Sequence, residues 1–397
     1  MKILIVHNYY QLPGGEDDVV ANEKALLSEH GHDARLFACR NDDIQSLPSK
    51  IKTAWNSTYS AEGRERAAAA IREFAPDLVH VHNFFPLLSP AVYDACAEAG
   101  LPVVQTLHNY RLLCASGQLT RNAAPCEKCI HGDYYWGVIH KCYRDSALGS
   151  FFVARMLRTH RRRHTWSEKV ACYITPSHFM KAKFVEAGLP GENIHVKPNF
   201  VPEYKNVPPL DMTAPRKSAL FAARFSREKG VHLVLQAWEG LDLPLRMMGD
   251  GPLAGLVREK ATPAMTLIGW RPMETLIEEL RNAEFLLMPS TWYEGFPVTL
   301  ALALANGLPI IASRLGAMGE VVEDGKTGLL FTAGDAAELR EKVIWAFKNP
   351  QRMREMGANA RAVYEEKYSA QANYRMLVDI YETALKRGPG PYVRHAA

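Results

Sequence analysis

In MPSTWYEGFP (288–297) a carboxylate, Glu294, stands in a turn just ahead of a predicted helix start. In FAARFSREKG (221–230) two cations, Arg224 and Lys229, follow a predicted strand, five residues apart. Taken alone, the cations read better as surface charges near a helix start. Together the three groups match a nucleotide-diphosphate sugar. Phosphate oxygens favour the positive end of a helix and its free N–H groups. Arg and Lys neutralise the remaining charge, and a carboxylate accepts hydrogen bonds from sugar hydroxyls. MGDGP (248–252), with Gly249, and LIGW (267–270), with Gly269 and Trp270, fall at further predicted strand ends. Strand ends of this kind are where open α/β sheets bind ligands.

Strand and helix patterns alternate almost throughout, which predicts α/β layers on parallel sheets. ILIV (3–6) reads as a buried strand, and the helix after Gly14 and Gly15 is expected to stop at Gly31. DLVHVH (77–82) and PVVQTLH (102–108) are β-rich segments that each end in histidine. HVKPNFVPEYKNVPPLDMTAPRK (195–217) lacks helical periodicity and is the expected linker. The expected organisation is two Rossmann-like domains facing a cleft. The first spans 1–200, with a Cys-rich insertion at 110–145, and is joined by a C-terminal helix at 369–388. The second spans 216–366. The tail from 387 onward is expected to be disordered.

The 397 residues carry 47 Lys and Arg against 43 Asp and Glu, a net charge of +4 that gives no reason to expect nucleic acid as a partner. No run reaches the ~18 apolar residues that would span a bilayer. The apolar start MKILIVHNYY is short for a signal peptide. A cytoplasmic protein is expected, peripheral at most at the inner face of a membrane.

The ordered set of glycine loop 13–16, His108, ARFSREKG, GDG and the EGFP helix resembles retaining glycosyltransferases of family 4, with the two-Rossmann GT-B architecture. The resemblance covers nearly the whole chain. It implies that Arg224 and Lys229 bind the donor diphosphate and that Glu294 holds the transferred sugar. Backbone groups near Gly295 and Phe296 would face sugar and phosphate, with Pro297 opening the helix. Gly14 and Gly15 would let their loop approach the phosphate, and His108 would reach the sugar. The alternative for His108 is a structural cap on its strand.

The family pattern has a second glutamate where this chain has Leu302. The missing acid ordinarily holds the ribose hydroxyls, so its loss removes hydrogen bonds worth about 1.5–3 kcal/mol each. The implied reaction is metal-independent transfer of a hexose from a nucleotide-diphosphate sugar to a saccharide or lipid-linked acceptor of surface polysaccharide or glycolipid synthesis. No catalytic cofactor is expected. Two alternatives are a nucleotide-sugar-binding protein impaired by Leu302 and a nucleotide-sugar epimerase of the same architecture.

Cys126 and Cys129 form a C-x-x-C knuckle flanked by Cys114 and Cys142. Four thiolates so spaced can close a structural zinc site, with His131 or His140 able to replace one; disulfides and free thiols are the other outcomes. Tyr134, Tyr135 and Trp136 could stack on an acceptor sugar or simply pack the loop. The segment 147–166 mixes Phe151, Phe152, Met156 and Leu157 with five arginines. It reads either as a basic amphipathic helix on an anionic membrane or as a core helix with a solvated basic end.

Overall fold

The computed structural model describes residues 1–11, 14–44, 46–202, 211–212 and 216–389. The tail from 390 and linker residues 203–210 and 213–215 lie outside the described residues. Two compact units result: Met1–Leu119 with Cys126–Pro198 and Asn373–Ala397, and Asn199–Ala372 with Thr120–Pro125.

The strands up to residue 198 are β1 (Lys2–Tyr9), β2 (Asp33–Arg40), β3 (Leu78–Val81), β4 (Val103–Thr106), the small pair β5 (Thr120–Arg121) and β6 (Ala124–Pro125), β7 (Cys172–Thr175) and β8 (Ile194–Val196). The main sheet runs β2-β1-β3-β4-β7-β8 and is parallel throughout. Ile3, Leu4, Ile5 and Val6 are all buried, as a central strand covered on both faces requires. The helix Gly15–Glu29 ends two residues before Gly31, whose φ of +79° supplies the left-handed stop. β2 carries no comparable apolar run, because as an edge strand it is half exposed.

β3 and β4 stop short of the histidines that close their segments, so His82 and His108 follow the carboxyl ends of the strands. The last helix, Ala370–Arg387, contributes Leu377, Ile380, Tyr381 and Ala384 to the core that holds Ile3, Ile5 and Val20. The stretch expected as linker begins later than 195, since Ile194–Val196 form a strand and Lys197 is buried.

The second sheet contains β9 (Ser218–Ala222), β10 (Leu245–Met248), β11 (Met265–Gly269), β12 (Ala283–Met288), β13 (Ile310–Ser313) and β14 (Gly328–Phe331). It runs β11-β10-β9-β12-β13-β14, again all parallel. Two contacts behind its strand ends demand glycine. A Cβ on Gly249 (φ +148°) would lie 2.0 Å from the Ala223 carbonyl oxygen. One on Gly230 (φ +74°) would lie 1.9 Å from that of Pro289. These approaches press the loops after β9, β10 and β12 together.

Candidate functional site

In the second unit the loops after β9 and β12 bring Lys229 and Glu294 into contact. Lys229 Nζ lies 2.6 Å from Glu294 Oε1, and the Ser290 hydroxyl donates to the same oxygen at 2.8 Å. Glu294 is buried, with 5% of its surface exposed, whereas the Lys229 side chain keeps 24%. The ammonium also sits 5.2 Å from the centre of the Trp292 ring. Oε2 of Glu294 takes no hydrogen bond among the described residues, which leaves a carboxylate oxygen for a ligand hydroxyl. Arg224, at the end of the β9 segment, is exposed. Among the described residues it has no ion-pair partner.

The helix Val298–Ala305 follows, with Pro297 at its cap and no side chain capping its N–H groups. An uncapped helix start of this kind suits an anion. Phe296 is buried and its carbonyl accepts from Asn199 Nδ2 at 2.9 Å, so its contribution to a ligand is restricted to the main chain. Gly269 has φ +75°, and Trp270 beyond β11 is 72% exposed. Leu302 is 1% exposed within the apolar cluster of Leu300, Leu304 and Met318. Its side chain presents no hydrogen-bonding atom.

In the first unit the strand ends carry a different chemistry. His7 in β1 and His80 in β3 gather with His82 and His108, which follow β3 and β4. His82 Nδ1 lies 2.9 Å from His108 Nε2. His80 bonds the Tyr381 hydroxyl through Nδ1 at 2.7 Å and the Thr106 hydroxyl through Nε2 at 2.8 Å. Beneath them Lys197 and Glu23, both fully buried, pair at 2.7 Å, and Asn373 Oδ1 accepts from the same ammonium at 3.0 Å. Burial raises the Glu23 carboxyl, but Lys197 and then His80 outweigh it and leave it below the usual range. Burial drives His82 well down and takes His108 down to about 4, so both rings are neutral near pH 7.

The glycine loop is tied to its own helix. Gly14 N–H is taken by Asp17 Oδ2 at 3.0 Å, and Asp17 Oδ1 meets His7 Nε2 at 2.8 Å. The Gly14 amide is therefore engaged in capping its own helix, and of the two glycines Gly15 opens that helix. Glu16, next in line, accepts from Asn83 at 3.2 Å and Asn109 at 3.5 Å. Burial and the adjacent Asp17 push its carboxyl up to about 8. Glu16, Glu23, His82 and Lys197 are site residues that motif spacing does not announce. The one visible signal was the pair of β-rich segments ending in histidine.

In the insertion, the Cys129 thiol donates to Cys114, lowering the latter and raising its own proton affinity. Cys142 and Cys126 lie near enough to act on Cys129 as well. Among the described residues, sets of three ligating atoms within 4.8 Å of one another occur at Glu23–His80–His82, His7–Glu16–Asp17 and Glu127–His131–Glu186, and the four sulfurs are not so closely drawn. His131 instead meets Glu186 at 2.9 Å. Tyr134 is buried loop packing, whereas Trp136 is 41% exposed. The helix Ala147–Arg162 buries Val153, Ala154, Met156, Leu157 and His160, so for most of its length it is a core helix with a basic end.

Two family models match: "Glycosyltransferase Family 4" over residues 13–203 and "Glycosyl transferases group 1" over 207–363. A phosphatidyl-myo-inositol mannosyltransferase of Mycobacterium leprae is 27% identical across 98% of both chains. Other curated relatives match only in part, and the chain spans about half of their length, 47% and 54% in two cases. Among solved structures, a sucrose-phosphate synthase of Thermosynechococcus elongatus superposes with TM-score 0.71 at 17% identity, over 97% of this chain and 99% of that one. The Anabaena HepE protein in complex with UDP gives 0.64 at 17%, over 96% and 100%. The chain belongs to the family 4 glycosyltransferases, and its fold is the two-domain α/β GT-B fold.

Proposed function

We propose that this chain is a retaining glycosyltransferase that moves a hexose from a nucleotide-diphosphate sugar to a saccharide or lipid-linked acceptor. The observation that carries the reading is the Lys229–Glu294 contact beside an uncapped helix, with Arg224, which has no ion-pair partner among the described residues, on the same β9 loop as Lys229. Lys229 and Arg224 neutralise the departing diphosphate, and Glu294 Oε2 positions the sugar. Trp270 offers an exposed face to the base. Charge stabilisation by two cations and the helix start, together with positioning, supplies the catalysis without a divalent ion. The Lys229–Glu294 pair lies inside this site: the ammonium keeps two further N–H donors for phosphate.

The acceptor reading draws support from the first unit. A cavity of about 540 Å³ is lined by Lys50, Arg144, Phe85, Tyr143 and Phe152 among others. Beside it, the helix Leu47–Asn56 exposes Leu47, Ile51 and Trp55, with Arg155 4.4 Å from the Trp55 ring centre. Apolar side chains beside cations suit an anionic lipid surface. The membrane contact is thus assigned to this helix and the Phe151–Phe152–Arg155 start of 147–166, and no described helix is long and apolar enough to cross a bilayer. A structural zinc on Cys114, Cys126, Cys129 and Cys142 is proposed from their spacing in the sequence, supported by the nearness of Cys114, Cys126 and Cys142 to Cys129. Metal analysis well below one equivalent per chain overturns it.

The test is transfer itself. A thermal-shift screen with UDP-, GDP- and dTDP-sugars identifies the donor, and radiolabelled transfer to lipid-linked acceptors follows. Leu302 favours one second reading, a nucleotide-sugar-binding protein without turnover. Calorimetric donor binding with no transfer to any acceptor would support that instead.

A further inference from the structure

Among the buried polar atoms of the first unit that have no hydrogen-bond partner are Glu23 Oε2 and His82 Nε2. They lie 3.5 Å apart, both on side chains with no exposure. The other oxygen of Glu23 is committed to Lys197 at 2.7 Å, and the other nitrogen of His82 meets His108 Nε2 at 2.9 Å. The remaining ring nitrogen of His108, Nδ1, has no partner among the described residues, on a side chain that is half-buried. His80 cannot compete for Glu23, since both of its nitrogens are already engaged by Tyr381 and Thr106.

We infer that Glu23 is a positioning residue that acts through His82 to fix the tautomer of His108. A carboxylate only accepts, so His82 must carry its proton on Nε2 to face it. His82 Nδ1 is then a lone pair, and His108 Nε2 must donate to it. His108 Nδ1 is left unprotonated and free, an acceptor for a hydroxyl of the ligand and unable to donate to phosphate. The neutrality that burial imposes on both rings agrees with a chain carrying one proton per link. Lys197 and Asn373 hold Glu23 in place from below. A histidine's free nitrogen is set in this way by whatever bonds its other one.

This inference extends the reading of His108 as a contact to the donor sugar, and the experiment separates the two. Histidine is labelled with 15N in the full chain, and His108 is assigned with the His108→Gln variant. Two-bond proton–nitrogen correlation then identifies its tautomer near pH 7, and the Nε2–H form is expected. In Glu23→Gln, Lys197 still requires an acceptor, so the amide oxygen faces Lys197 and the amide N–H faces His82. Every link reverses, and His108 becomes the Nδ1–H form. Transfer then falls about 10- to 100-fold in kcat, the usual range for losing an orienting partner.

An Nδ1–H form in the natural protein overturns the inference, whether or not the variant folds. So does an unchanged His108 tautomer in a folded Glu23→Gln. A reversed tautomer with unchanged transfer upholds the relay and removes His108 from the donor contacts.

Discussion

The strand ends of the two units solve opposite electrostatic problems. After β9 and β12 the working groups are charged: Lys229 and Glu294 in contact, Arg224 exposed. After β3 and β4 they are His82 and His108, held neutral by burial and standing over one buried ion pair. Charges near solvent can change partners when a ligand arrives. A fully buried pair cannot, because losing a partner strands a charge. The charged strand ends of the second unit therefore suit an anion, and the buried network of the first suits neutral hydrogen-bonding atoms held at fixed angles.

The largest effect that sharpens this contrast is catalytic. Lys229→Ala and Glu294→Ala should each lower kcat by about 10²–10³, as loss of a transition-state charge contact does. Circular dichroism should show the fold unchanged, and transfer surviving both substitutions would break the site assignment. In the first unit the corresponding substitution acts on stability. Lys197→Met leaves Glu23 buried and unpaired, at a cost of about 3–5 kcal/mol. Urea denaturation measures it, and a loss no greater than that of a surface lysine would show the pair to be incidental.

These two groups also differ in how far the sequence revealed them. Glu294, Arg224 and Lys229 are each marked by neighbours a few residues away, because a turn, a helix start and a strand end are local features. The buried network joins residues 23, 80, 82, 108, 197 and 373, which only the sheet order and the returning C-terminal helix bring together. Local patterns cannot report such a meeting. The same holds within the fold: ILIV declares a central strand, while the half-exposed β2 and the four-residue β14 give little periodicity to read. The capping bond from Gly14 to Asp17 was equally hidden, since glycine loops that cap themselves and those that bind phosphate share one composition.

Leu302→Glu probes the site more gently. If the ribose passes this position, calorimetry should show nucleoside diphosphate binding tightened about tenfold, the effect of one hydrogen bond to a charged group. Unchanged affinity means the ribose is held elsewhere. A separate melting measurement accounts for placing an acid where Leu302 is 1% exposed.

A further test is a pH dependence. His108 is depressed to about 4 in the folded chain, against about 6.5 in the unfolded one. Between those values the unfolded chain binds more protons, so stability is complete above about pH 6.5 and falls as pH drops toward 4. His108→Gln should flatten that acid slope in thermal melts from pH 7 to 4.5, and an unaltered slope would mean the ring titrates freely.

The central claim, that Arg224 and Lys229 grip a diphosphate, is tested most directly by calorimetry with UDP, GDP and dTDP on the natural chain and on the Arg224→Ala/Lys229→Ala double variant. The account predicts that whichever diphosphate binds loses at least about 100-fold in affinity, about 2.7 kcal/mol, while the corresponding nucleoside, lacking phosphate, is unaffected. Equal diphosphate affinity in the two proteins would contradict it.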